Sequence, residues 1–295
     1  MMTSELARSY AYCDRLARRE AGNFYNGFRV LPRPQRLATC ALYAFLRIAD
    51  DLSDEPGEPG HKRTLLARWR EGLDRALCGE YTHRVHPALH HAVRSYGVPR
   101  AYLDAALDGV EMDLGPVTFA TFSDLRLYCY RVASVVGLLS IEIFGYQDPA
   151  CRDYAIYLGK ALQLTNILRD VRTDAERGRI YLPLSELSRF GVSPEEILGL
   201  KYSERFVKLA GSVAERARGF YRKAQQTLPA VDRRSMVAAE LMGSVYWRLL
   251  RKLERQHFNV FGPEPTRLTK GQKFLLILRT WCRFVSGAMT PSYGV

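Results

Sequence analysis

The chain has 295 residues, 47% hydrophobic and 25% charged, which is ordinary globular material with length for a large core in one big domain or two small ones. The net charge of +12 invites a nucleic acid, an anionic membrane surface or an anionic small substrate as partner. The basic residues are spread along the chain with no recognisable nucleic-acid motif, which excludes the first, and the six cysteines form no CxxC pair, which reads as reduced thiols in a cytosolic protein.

The opening "MMTSELARSYAYCDRLARRE" has no apolar h-region, so no signal peptide is expected, and apolar periodicity predicts a helix over 4–20. "LPRP" (31–34) separates it from a second helix over 34–54, which carries "YAFLRIADDLSDE". On that helix Asp50 and Asp54 are i,i+4 neighbours on one face. Arg47 lies one turn before Asp50, Tyr43 one turn before Arg47, and Asp51 projects to the side. "EPGEPG" (55–60) closes the helix, and further helices are predicted over 61–78, 86–96 and 99–114, the last two divided by "YGVP". The histidine-rich "HRVHPALHH" (83–91) reads as a polar stretch with a surface or salt-bridging role, and no His/Cys cluster argues for zinc.

The pattern over 122–145 is apolar nearly all round, as "YRVASVVGLLSIEIFGY" shows, and belongs in the middle of a bundle or lining an apolar cavity. Its small residues Ala133, Ser134 and Gly137 allow close helix approach or leave room for a ligand. The helix over 148–174 leads into "QLTNILRDVRTDAERGRIYLP" (163–183). There Asn166, Asp170 and Asp174 stand at strict four-residue spacing, Gln163 extends their stripe backwards, and Arg169 and Arg172 lie between. Ser193-Pro194-Glu195-Glu196 has the composition of a helix start. Helices over 202–228, 231–256 and, after "FGPEP", 269–287 complete the chain. No alternating run is long enough to assert a sheet, and no run of 18 apolar residues is read as a membrane span. The expectation is one all-α domain over 1–295.

The two acidic stripes are the unusual feature. Asp is a poor helix former in interior positions, and like charges at i,i+4 cost about 0.2–0.5 kcal/mol per pair. The text around both stripes is apolar, so their helices are largely buried, and buried carboxylates need a cation or a strong donor. A hard cation such as magnesium, shared with substrate phosphate oxygens, suits carboxylate and amide ligands. Arg47 and Arg169 then serve as bidentate partners for phosphate or as counterions to the aspartates. Two acidic helices facing each other across an apolar cavity describe a site for a hydrocarbon diphosphate.

These motifs resemble the squalene/phytoene synthase family of head-to-head isoprenyl diphosphate synthases over nearly the whole chain. "DDLSD" (50–54) is similar to the first acidic motif and "QLTNILRDVRTDAERGRIYLP" to the second signature. "YCYRVASVVGLL" (128–139) resembles the central helix and "FYNGFRVLP" (24–32) the N-terminal segment. The resemblance implies an isoprenoid-synthase helical bundle around a central apolar cavity, in which one prenyl diphosphate ionises and alkylates another. It implies Mg²⁺, or Mn²⁺ in its place, on Asp50, Asp54, Asn166, Asp170 and Asp174. It implies catalytic roles for Tyr128, Arg47 and Arg169, and substrate binding by Phe24, Tyr43, Arg47, Val132, Gly137, Gln163, Arg169, Tyr181 and Tyr246; core packing remains the other reading of Tyr246. Two departures stand out. "EAGNFY" stands where some relatives carry serines and a lysine, so the phosphate contacts there are either lost or taken over by Arg18 or Arg19, and Arg267 is the nearest substitute for a C-terminal basic phosphate ligand.

Presqualene diphosphate from two farnesyl diphosphates is the leading expectation. Alternatives are squalene, with NADPH, dehydrosqualene, or phytoene from two geranylgeranyl diphosphates; a non-catalytic isoprenoid-binding scaffold is the remote one. The basic, apolar segment 270–289 reads either as an interfacial helix on an anionic membrane or as a last bundle helix. A cytoplasmic monomer or weak dimer is expected.

Overall fold

The computed structural model describes residues 3–54, 57–115, 117–285, 291, 293 and 294. The all-α expectation holds, with no strand among the described residues. Helix α1 (Ser4–Glu20) starts where the Thr3 side chain accepts from the Leu6 amide. After the short α2 (Asn23–Phe28), which periodicity alone did not reveal, comes α3 (Arg33–Asp54), the first acidic helix. Helices α4 (Pro59–Leu77), α5 (His86–Tyr96) and α6 (Arg100–Glu111) come next, with α5 closed by Gly97 in the left-handed region.

The apolar stretch expected as one helix over 122–145 is divided. It consists of α7 (Phe122–Cys129), a π-helical turn (Tyr130–Ser134) and α8 (Val135–Phe144). The run Phe122–Phe144 is long and apolar enough to cross a membrane, yet it packs inside the bundle against α6 and α9. Helix α9 (Cys151–Ala175), the second acidic helix, is the central pillar. It crosses the π-turn so closely that a Cβ on Gly159 would lie 2.6 Å from the Ser134 Cα. Only glycine allows that approach, and the Ser134 hydroxyl donates to the Ile156 carbonyl at 2.8 Å across it.

Two short helices, α10 (Leu184–Arg189) and α11 (Pro194–Leu198), lead to α12 (Glu204–Thr227). The helix start read at Ser193–Glu196 is a capping box. The predicted 231–256 helix begins later: a 3₁₀ turn (Ala230–Asp232) precedes α13 (Val237–Arg255), and α14 (Lys270–Val285) ends the bundle. Cys13, Cys40, Cys78, Cys129 and Cys151 are free thiols. The histidine stretch departs from its surface reading, since His86 is buried against Trp69, where burial lowers its pKa to about 4.

Candidate active site

Helices α3 and α9 bring their C-terminal halves to the same end of one cavity of about 360 Å³. Its walls come from α2, α3, the π-turn, α8, α9 and α13, and they are predominantly apolar. Arg47, Asp50, Gln163 and Asn166 mark the polar end; Thr39, Phe144 and Tyr154 line the opposite end. Thr39 to Asp50 spans about 16 Å of helix. Val132 and Ala133 of the π-turn share the wall with Gly137 and Ser140 of α8. Gly137 answers both sequence readings at once: it lines the cavity, and a Cβ there would sit 3.0 Å from the Ala155 carbonyl oxygen. A larger groove of about 520 Å³ between α1 and residues 81–87 holds none of the residues of the two acidic stripes. The candidate site is therefore the smaller apolar cavity.

Both stripes occupy helix C-terminal turns, where the macrodipole is already negative and disfavours a carboxylate. Arginines answer part of that charge. Arg169 grips Asp170 through Nε (2.7 Å) and Nη2 (2.5 Å), and Arg47 pairs with Asp51 at 2.7 Å rather than with Asp50. Asp54 receives Arg177 at 3.3 Å and Arg179 at 3.2 Å, two arginines of the loop after α9. Asp50 and Asp174 have no hydrogen-bond donor among the described residues, and burial, followed by repulsion from neighbouring aspartates, raises each to about 7. Asp50 is nonetheless open to the cavity, so its exposure is to an enclosed crevice.

Two buried polar atoms at this end lack a partner: Asn166 Oδ1, an acceptor, and Arg47 Nε, a donor. The Asn166 amide nitrogen reaches Gln163 Oε1 at 3.5 Å, and burial raises the pKa of the Tyr246 phenol while the Arg169 charge opposes that rise. An orphaned amide oxygen beside uncapped carboxylates fits a hard cation, and an orphaned guanidinium donor fits an anion. The donor set thus suits magnesium with a diphosphate.

Of the residues named from sequence, Phe24, Tyr43, Arg47, Asp50, Val132, Gly137, Gln163 and Asn166 line the cavity. Tyr246 stands behind it, with its ring 6.0 Å from Phe24. Tyr128 and Tyr181 are buried outside the lining, in a ring cluster with Phe119, and both hydroxyls donate to Asp113, at 3.0 and 2.8 Å. Arg267 is not brought to the site: its side chain is exposed and its carbonyl accepts from Lys252. Arg18 and Arg19 pair with Asp14 and Glu20, their own neighbours in α1. Sequence reasoning missed Arg177, Arg179 and Asp113. The one available signal was an aspartate just beyond a helix C-terminus, where the dipole opposes it.

Known proteins share the sequence and fold that carry this site. The squalene/phytoene synthase profile matches residues 17–272. A phytoene synthase of Arthrospira platensis is 36% identical over 86% of this chain and 86% of its own length. A presqualene diphosphate synthase of Rhodopseudomonas palustris is 33% identical over 87% of this chain and 92% of its own. A crystal structure of a dehydrosqualene synthase in complex with ligand superposes with a TM-score of 0.85 at 28% identity, covering 96% of this chain and 98% of that one. The profile match, the relatives and the shared all-helical fold lead to one conclusion: this chain is a prenyltransferase and belongs to the squalene/phytoene synthase family.

Proposed function

We propose that the enzyme joins two farnesyl diphosphates head to head to give presqualene diphosphate. Mg²⁺, or Mn²⁺ in its place, is held by Asp50, Asp54, Asn166, Asp170 and Asp174. The observation that carries the reading is an orphaned acceptor, Asn166 Oδ1, and an orphaned donor, Arg47 Nε, at the polar end of one apolar cavity. Bound cations supply charge neutralisation for the departing diphosphate. Arg47 and Arg169 grip its oxygens, with Arg169 held in place by Asp170. The apolar walls of α3, α8 and α9 hold the tail and keep water from the allylic cation.

The presqualene-forming relative supports the C15 substrate. The phytoene synthase relative favours a second reading, condensation of two geranylgeranyl diphosphates. Product analysis with each diphosphate and Mg²⁺, with and without NADPH, tests both. Presqualene diphosphate in both farnesyl tubes is expected. Squalene only with NADPH assigns a complete squalene synthase, dehydrosqualene without it a dehydrosqualene synthase, and phytoene alone from the C20 substrate the carotenoid branch. Absence of diphosphate release from both substrates refutes the reading.

Peripheral membrane association is part of the proposal. Leu275 and Leu278 stand exposed one turn apart on the basic α14, although residues 286–289 of the segment lie outside the described residues. Failure to pellet with anionic liposomes at low salt removes it.

A further inference from the structure

We propose that Asp113 is a positioning residue of the condensation, its carboxylate fixing Tyr128 and Tyr181 beside the acidic helices; this rests on the prenyltransferase reading above. Asp113 lies just past α6, yet it ties together side chains from separate parts of the chain. Tyr128 on α7 donates to its Oδ2 at 3.0 Å, and Tyr181, in the loop after α9, donates to its Oδ1 at 2.8 Å. The two rings lie 5.2 Å apart, with Phe119 5.3 Å from Tyr128. The Asp113 main-chain carbonyl accepts from Arg179 at 3.4 Å, and the same guanidinium holds Asp54 at 3.2 Å.

This carboxylate is costly where it stands. It is half-buried and repels Asp54, and it in turn raises Asp50 and Asp174, so four acids share one region. Neither oxygen is free, because each accepts from one phenol. Asp113 therefore acts through the groups it orients. With both phenolic protons committed to the carboxylate, each tyrosine oxygen keeps its lone pairs in a fixed direction, while Arg179 is held separately, by the Asp113 main-chain carbonyl and Asp54. A hydroxyl without that acceptor rotates freely, and the reacting end loses a fixed dipole.

The test compares wild type with Asp113→Asn, Tyr128→Phe and the double variant, using whichever of the C15 and C20 diphosphates the wild type turns over. Asparagine keeps the shape but accepts only one of the two hydroxyls in the same way. Expected for Asp113→Asn is a kcat loss of about 10- to 150-fold with KM changed less than about threefold. More diphosphate is released per carbon–carbon bond formed, because the cation is more often quenched by water. The double variant is little worse than either single one, since both interrupt the same contact. Wild-type kcat and product coupling in Asp113→Asn overturn the inference, as do losses that multiply in the double variant. A kcat loss that merely tracks a lowered melting temperature, with coupling unchanged, also overturns it. A wild type that releases diphosphate from neither substrate refutes the functional reading itself, a result distinct from all of these.

Discussion

Replacing Arg47 with methionine separates a binding role from a structural one, because the two predict opposite effects. In the ligand-free protein Arg47 makes one ion pair, with the exposed Asp51, and exposed pairs contribute about 0–1 kcal/mol. Its Nε is buried without a partner, and an unsatisfied buried donor costs about 1–3 kcal/mol. Methionine keeps the apolar stem against the cavity wall and removes the orphan. The unliganded variant is therefore as stable as wild type or more so. Binding moves the other way: a charge-assisted hydrogen bond to phosphate is worth about 1.5–3 kcal/mol, so affinity for magnesium diphosphate falls about 10- to 150-fold. Calorimetric titration with inorganic diphosphate and Mg²⁺, alongside thermal denaturation, reads both quantities. A melting temperature lowered by several degrees with unchanged diphosphate affinity refutes the reasoning and makes Arg47 a counterion.

Asp170→Ala is expected to cut diphosphate release by more than about 100-fold while leaving the helical circular dichroism intact; near-normal turnover rejects the metal assignment. Asp50 and Asp174 titrate near 7 in the fold against an ordinary 3.8, so the folded state binds more protons than the unfolded one between those values. Metal-free stability therefore falls as pH rises through that window. Melting temperatures between pH 5 and 8 check this, with a shallower slope expected for Asp174→Asn. At the far end of the cavity, Phe144→Ala enlarges the apolar space, and turnover of C20 relative to C15 diphosphate rises in a competition assay. An unchanged ratio shows that the chain end stops elsewhere.

Much of the site was legible because helical spacing is a local rule. Asp50 with Asp54, and Asn166 with Asp170 and Asp174, come from i,i+4 geometry alone, and the apolar text around them implied a cavity. What stayed hidden depends on loops and on single-residue shifts. Arg177 and Arg179 reach Asp54 only because the chain turns back after α9. The π-turn adds one residue to a stretch so uniformly apolar that no change of face is visible in it. Tyr128 and Tyr181 were singled out by resemblance, but their common acceptor, Asp113, lies 15 residues from the first and 68 from the second. Arg267 failed because closeness along the chain to a basic position does not put a side chain into the cavity.

The arginines on Asp54 and Asp170 would also shape the end of a turnover under the proposed metal assignment. A site built only from carboxylates would spring apart once its cations left with the diphosphate product. Arg169, Arg177 and Arg179 already pair with these acids, so an emptied mouth would have a resting arrangement of its own. Product departure would then be an exchange of partners rather than the exposure of bare charge.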